Sequence, residues 1–135
     1  MKSKKSVEQI TQRLNPGEDL RRSIERLIRT HDIAAGCIAS IVGSVEKLTL
    51  RMADGRTTKV WNKQFELVSG MGTVSKNGCH IHISAADKNG VVKGGHLKEG
   101  CIINTTAEVV LLRFSDTQFK RMPDKRTGYD ELVVA

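Results

Sequence analysis

Helical periodicity occurs only once in this sequence. In "NPGEDLRRSIERLIRTHDI", Leu20, Ile24, Leu27 and Ile28 recur at the spacing of one helix face. Start signals precede them: Asn15 as a cap, Pro16 at the first helical position, and Glu18 three residues after Asn15, as in a capping box. Arg21, Arg22, Arg26 and Arg29 fall off the apolar stripe. The reading is an amphipathic helix packed by one face, with its arginines in solvent. His31 follows, where a positive imidazole suits the C-terminal end of the helix dipole. A chain of 135 residues fits one domain and can bury a sizeable core without staples. With a single helix to contribute, that core must be built largely from strands.

The remainder of the chain reads as strands and turns. "AAGCIASIVGS" is a short buried run closed by glycine. Leu48, Leu50 and Met52 then alternate with Lys47, Thr49 and Arg51, a half-buried strand that turns at Asp54-Gly55 into a second. Gly70 and Gly72 in "FELVSGMGTVSKNG" suggest a bulge or a close backbone approach. "CHIHISAADKNG" is a strand ending at Asn89-Gly90, and "VVKGGHLKEGCIINTTAEVVLLRF" holds two more around Glu99-Gly100. The tail from Ser115 is polar, with a last strand at "ELVVA". Residues 1–9 are expected to be a flexible N-terminus, although "VEQITQRL" has the look of a short strand or helical turn. Residues 10–135 are expected to form the domain. The fold class is α+β: a single domain with a mostly antiparallel sheet or barrel of about seven strands and one main helix.

Composition narrows the function classes. No apolar run approaches the roughly 18 residues of a membrane span, and no hydrophobic segment follows the basic "MKSKKS", so a cytoplasmic setting is expected. Three cysteines, Cys37, Cys79 and Cys101, with apolar or glycine neighbours, read as buried thiols rather than a disulfide framework. The net charge of +7 raises the question of nucleic acid. The charge is diffuse, however. The five aromatics (Trp61, Phe65, Phe114, Phe119 and Tyr129) are too few for a base-stacking platform. Weak, non-specific DNA contact is the expectation from charge alone.

The histidines carry the sharper signal. Residues two apart on a strand share a face, so His80, His82 and Ser84 point one way while Cys79, Ile81 and Ile83 point toward core. His96, after Gly94 and Gly95, returns on the next strand through the "DKNG" turn. Three neutral imidazoles suit zinc, and also nickel, copper or iron. Three protein ligands leave a position for water or substrate, as in catalytic zinc sites. A water there becomes a nucleophile near neutral pH and needs a proton carrier. Glu66 and Glu108, each interrupting an apolar strand, are the candidates; each also reads as a rim carboxylate or ion-pair partner. A histidine cluster without metal is the alternative to the whole site.

Taken in order, "LNPGEDLRRSIERLIRTHDI", "GCIASIVGSVEKLTLR", "FELVSGMGTV", "CHIHISAADKNGVVKGGHL" and "TTAEVVLLRF" resemble the plants-and-prokaryotes conserved (PPC) domain in its stand-alone bacterial form, from about Ile10 to Val134. The resemblance implies an α+β fold and a homotrimer. In plants the domain sits beside AT-hooks that contact DNA, and bacterial members are described as DNA-binding; this chain carries no AT-hook. The family fold is in turn similar to that of α-acetolactate decarboxylase, a zinc enzyme with H-x-H and a later histidine, a pattern that His80, His82 and His96 match. Three readings follow: a trimeric metal-binding module, a small zinc-dependent lyase or hydrolase, and a DNA-associated regulatory protein.

Overall fold

The computed structural model describes residues 5–135. Its elements are β1 (Val7–Leu14), α1 (Leu20–Thr30), β2 (Gly36–Arg51), β3 (Thr58–Trp61), β4 (Phe65–Ser75), β5 (Gly78–Ala86), β6 (Val92–Leu97), β7 (Ile102–Phe114), β8 (Phe119–Asp124) and β9 (Tyr129–Val134). The helix buries the stripe read from the sequence, Leu20, Ile24, Leu27 and Ile28, together with Ser23. It starts later than expected. Asp19 is the cap, its carboxylate accepting from the Arg22 amide at 3.0 Å. Asn15–Glu18 instead form a turn. The Glu18 amide donates to the Asn15 carbonyl at 3.2 Å and Gly17 has φ +86°, the Pro-Gly arrangement of a type II turn. Glu18 still accepts from the Asn15 amide at 2.6 Å, so this half of the expected box closes the turn.

The sheet is antiparallel and has seven strands, in the order β1-β7-β2-β4-β5-β6 with β3 on β2. Two sequence readings change here. Residues 7–9, expected in a flexible N-terminus, belong to β1, where Val7, Glu8 and Gln9 pair with Phe114, Arg113 and Leu112. β1 lies at the sheet edge and is exposed on most of both faces. Backbone pairing therefore holds it without the alternation that marks a strand in sequence. Residues 1–4 lie outside the described residues. Gly43, read as ending a strand, sits inside the sixteen-residue β2. The register of β2 on β7 shifts between Gly43 and Val45, and an added Cβ at Gly43 would lie 2.2 Å from the Thr106 carbonyl oxygen. The glycine admits the neighbouring backbone and bends the strand there.

That bend has a consequence for topology. The first part of β2 pairs with β7 and β4, while its end pairs with β6, Leu50 opposite Leu97 and Arg51 opposite His96. β2, β4, β5 and β6 thus close on themselves. Val45, Leu48, Leu50, Ile81 and Leu97 of these strands and Ile103 of β7 are fully buried in one core cluster, to which α1 adds its stripe. Arg21, expected in solvent, is half-buried and donates from Nη1 to the Leu97 carbonyl at 2.7 Å, whereas Arg22 and Arg26 are exposed. Cys101 is buried and burial pushes its thiol up to about 11; Cys37 and Cys79 are only half-buried. β8 and β9 form a separate two-stranded hairpin. No helix among the described residues is long and apolar enough to cross a membrane.

The packing at Gly43 gives a direct test. Gly43→Ala forces the Thr106–Ala107 backbone away and should destabilise the protein by roughly 2 kcal/mol, read as a lower urea midpoint at unchanged slope. An unchanged midpoint would show that β7 yields freely.

Candidate metal centre

Strand alternation on β5 is strict: Ile81, Ile83 and Ala85 are buried, and His80 and His82 are exposed on the opposite face. β6 brings His96 directly across from His82. The glycine that permits this is Gly95, where a Cβ would lie 2.7 Å from the Arg51 carbonyl oxygen; Gly94 makes only ordinary contacts. Gly95 therefore serves the closure onto β2 that holds His96 in register.

One ring nitrogen from each of His80, His82 and His96 lies within 4.8 Å of the others. The Nε2 atoms of His80 and His82 are 3.1 Å apart. Two imidazoles on one tetrahedral zinc, with bonds of 2.0–2.1 Å, would place their nitrogens about 3.3 Å apart, so the pair already has nearly the required bite. His96 Nδ1 is buried and has no hydrogen-bond partner among the described residues. An orphaned polar atom beside two converging imidazoles is what a bound ion or its shell would satisfy. The donor set fits a borderline metal such as zinc.

Burial and nearby charges favour the neutral form of two of the ligands, His96 and His80. Burial, with the charges of Arg51 and Arg21, lowers His96 to about 4. Burial, then His82 and Arg121, lowers His80. Both effects disfavour the imidazolium and leave a lone pair for a cation.

A cavity of about 400 Å³ opens beside His80 and His96, with Arg51, Arg121, Tyr129 and Glu131 on its walls. The carboxylates singled out from sequence are elsewhere. Glu66 is exposed and pairs with Ala86, four residues along β5 from His82 and so about 13 Å away. Glu108 is exposed on β7, opposite Arg13 and Val42, with β2 and β4 between it and β5. The carboxylates on the cavity are Asp130 and Glu131.

The family model of the Plants and Prokaryotes Conserved (PCC) domain matches residues 1–115. The chain belongs to this family. Two proteins named "Bifunctional protein GlmU", from Synechococcus sp. strains JA-2-3B'a(2-13) and JA-3-3Ab, are 42% identical to the PCC chain over 122 residues, 90% of its length. It spans 19% and 20% of their lengths. Among solved structures, a hypothetical protein from Salmonella cholerae-suis superposes with a TM-score of 0.94 at 31% identity, over 98% of this chain and 96% of that one. The metal-containing protein AF0104 from Archaeoglobus fulgidus gives 0.82 at 29%, over 98% and 99%. A Staphylococcus aureus protein similar to α-acetolactate decarboxylase shares the fold more distantly, with a TM-score of 0.52 at 13% identity over 75% of this chain and 50% of that one.

Sequence reasoning found the three histidines of the PCC chain and missed the cavity around them. Arg51 reads as one polar position of an alternating strand. Arg121, Tyr129 and Glu131 lie in the polar tail, and only the cross-strand pairing of β8 with β9 brings them to the site.

A metal-free measurement tests the burial of His96. Its folded pKa lies below the ordinary value, so the unfolded chain binds more protons between about pH 6.5 and 4. Stability of chelator-treated protein should be fully present above that window and fall as pH drops through it. His96→Gln should flatten the slope of urea stability against pH. An identical slope in the variant would mean that His96 is not held neutral.

Proposed function

We propose that this PCC chain is a metal-binding module that holds one divalent transition metal, zinc foremost, on His80, His82 and His96. It works in the cytoplasm as a homotrimer, with residues 10–135 acting as one domain and the edge strand β1 as part of its sheet. The observation that carries the metal is the convergence of three ring nitrogens within 4.8 Å, two of them on one strand face and the third across a paired strand. The description of the related archaeal protein as metal-containing supports the same reading. Three ligands leave the remaining coordination toward the cavity. When bound, the metal supplies a Lewis acid there. A zinc-dependent lyase or hydrolase is the extension of this reading, with Glu131 positioned to carry a proton. Trimerisation is supported by apolar side chains left in solvent, including Val42, Val68 and Met71.

Metal analysis of gently purified protein should find about one ion per chain, and His80→Ala/His82→Ala should lose it. The same preparation should sediment at three times the 14.9 kDa chain mass at low micromolar concentration. Equal metal content in wild type and double mutant would remove the site, and a monomer would remove the trimer.

Charge supports a second role. At +7 the chain meets phosphate backbones, and a protein provisionally described as DNA-binding, from Bacteroides thetaiotaomicron, shares the fold at 19% identity. Such contact should be sequence-blind and fall steeply with salt. Titration of random and AT-rich duplexes at physiological salt should give equal, weak affinities; nanomolar selectivity for one would favour a DNA regulator over a metal module.

A further inference from the structure

The cavity over the histidines is walled by a segment outside the family match. The match ends at residue 115, and the β8–β9 hairpin begins at Phe119. Arg121 of β8 and Tyr129 and Glu131 of β9 line the same space as Arg51, His80 and His96. The hairpin is fixed on both sides of that space. On one side Asn77 Nδ2 donates to the Phe119 carbonyl at 2.9 Å, and Arg121 Nη2 donates to Thr73 Oγ1 at 2.8 Å. The Arg121 stem passes over Gly78, where a Cβ would lie 3.2 Å from its Cγ. On the other side the Tyr129 hydroxyl covers Gly55 in the β2–β3 turn, 2.6 Å from where a Cβ would stand.

Two guanidiniums thus face one cavity, and among the described residues neither is in a salt bridge. Arg51 Nε is buried without a hydrogen-bond partner. The hydrogen bond to Thr73 is the one the Arg121 side chain makes among the described residues. Two carboxylates, Asp130 and Glu131, line the same cavity, but neither is in a salt bridge with either arginine, and Glu131 accepts from Thr127 Oγ1 at 3.1 Å. Unpaired guanidiniums, one with a desolvated donor, are unfavourable beside a dication. A planar fork of N–H groups matches an oxyanion in two-point contact.

We propose that this cavity binds a small ligand through an oxyanion group, carboxylate or phosphate, gripped by Arg51 and Arg121, with the metal on His80, His82 and His96 taking one of its oxygens. The metal contact rests on the reading above; the arginine clamp stands without it. The C-terminal hairpin is then the element that sets what enters the site.

The test titrates inorganic phosphate and, separately, succinate into chelator-treated protein and into protein loaded with cobalt(II), by calorimetry and by the visible cobalt spectrum, with cobalt content measured independently. Wild type should bind one anion per chain, with a shifted cobalt band, and the tighter of the two probes identifies the group. Arg121→Gln should weaken binding at least ten-fold at unchanged cobalt content and unfolding midpoint. Arg121→Lys, which keeps charge but loses the fork, should fall between. Arg126→Gln, at the exposed hairpin turn and paired with Asp124, should match wild type. Wild-type affinity in Arg121→Gln, or no anion binding by fully cobalt-loaded protein, would overturn the clamp. Anion binding that depends on Arg121 in protein that takes up no cobalt would uphold the clamp and overturn the metal reading instead.

Discussion

The pairing of the end of β2 with β6 is the contact on which the rest of the structure depends. It closes four strands on themselves, sets Arg51 opposite His96, and so holds His96 opposite His82. Without it β6 would be a free edge strand and His96 would swing with it. Two glycines make the closure sterically feasible. Gly43 lets β2 bend where β7 crowds it, and Gly95 lets β6 approach the Arg51 carbonyl. Neither glycine touches a functional side chain, yet both fix where the functional side chains stand.

The same closure accounts for the electrostatics. His96 is placed against two arginines, Arg51 from its paired strand and Arg21 from the helix, which is itself tied to the Leu97 carbonyl. Burial first, and then these two cations, keep the imidazole unprotonated, and an unprotonated imidazole is a metal ligand. The arginines that prepare the histidine for a cation also make the space beside it attractive to an anion. Two arginines, three convergent imidazoles suited to a dication and two carboxylates, Asp130 and Glu131, border one another around one cavity.

How much was legible in the sequence depended on where the information lay. The helix stripe and the H-x-H face rest on local periodicity, and both were readable because burial on one side of an element leaves its mark at fixed spacing. The cap was misplaced because Asn15-Pro16-Gly17-Glu18 carries the residues of a helix start and of a type II turn alike; only the position of Asp19 decides between them. β1 was hard to read because an edge strand exposed on both faces has no alternation. Arg121, Tyr129 and Glu131 were invisible as site residues because a hairpin's position over a sheet is a long-range property. Glu66 and Glu108 interrupt apolar strands, as a functional carboxylate would, but they do so on exposed surface away from the histidines.

The central claim is that three histidines on two paired strands hold one metal ion. X-ray absorption at the metal edge of zinc-loaded protein addresses it most directly. The account predicts three nitrogen scatterers at about 2.0–2.1 Å with imidazole outer-shell features, a light oxygen completing the shell, and no sulfur. A shell containing sulfur near 2.3 Å, or one made of water oxygens alone, would contradict it.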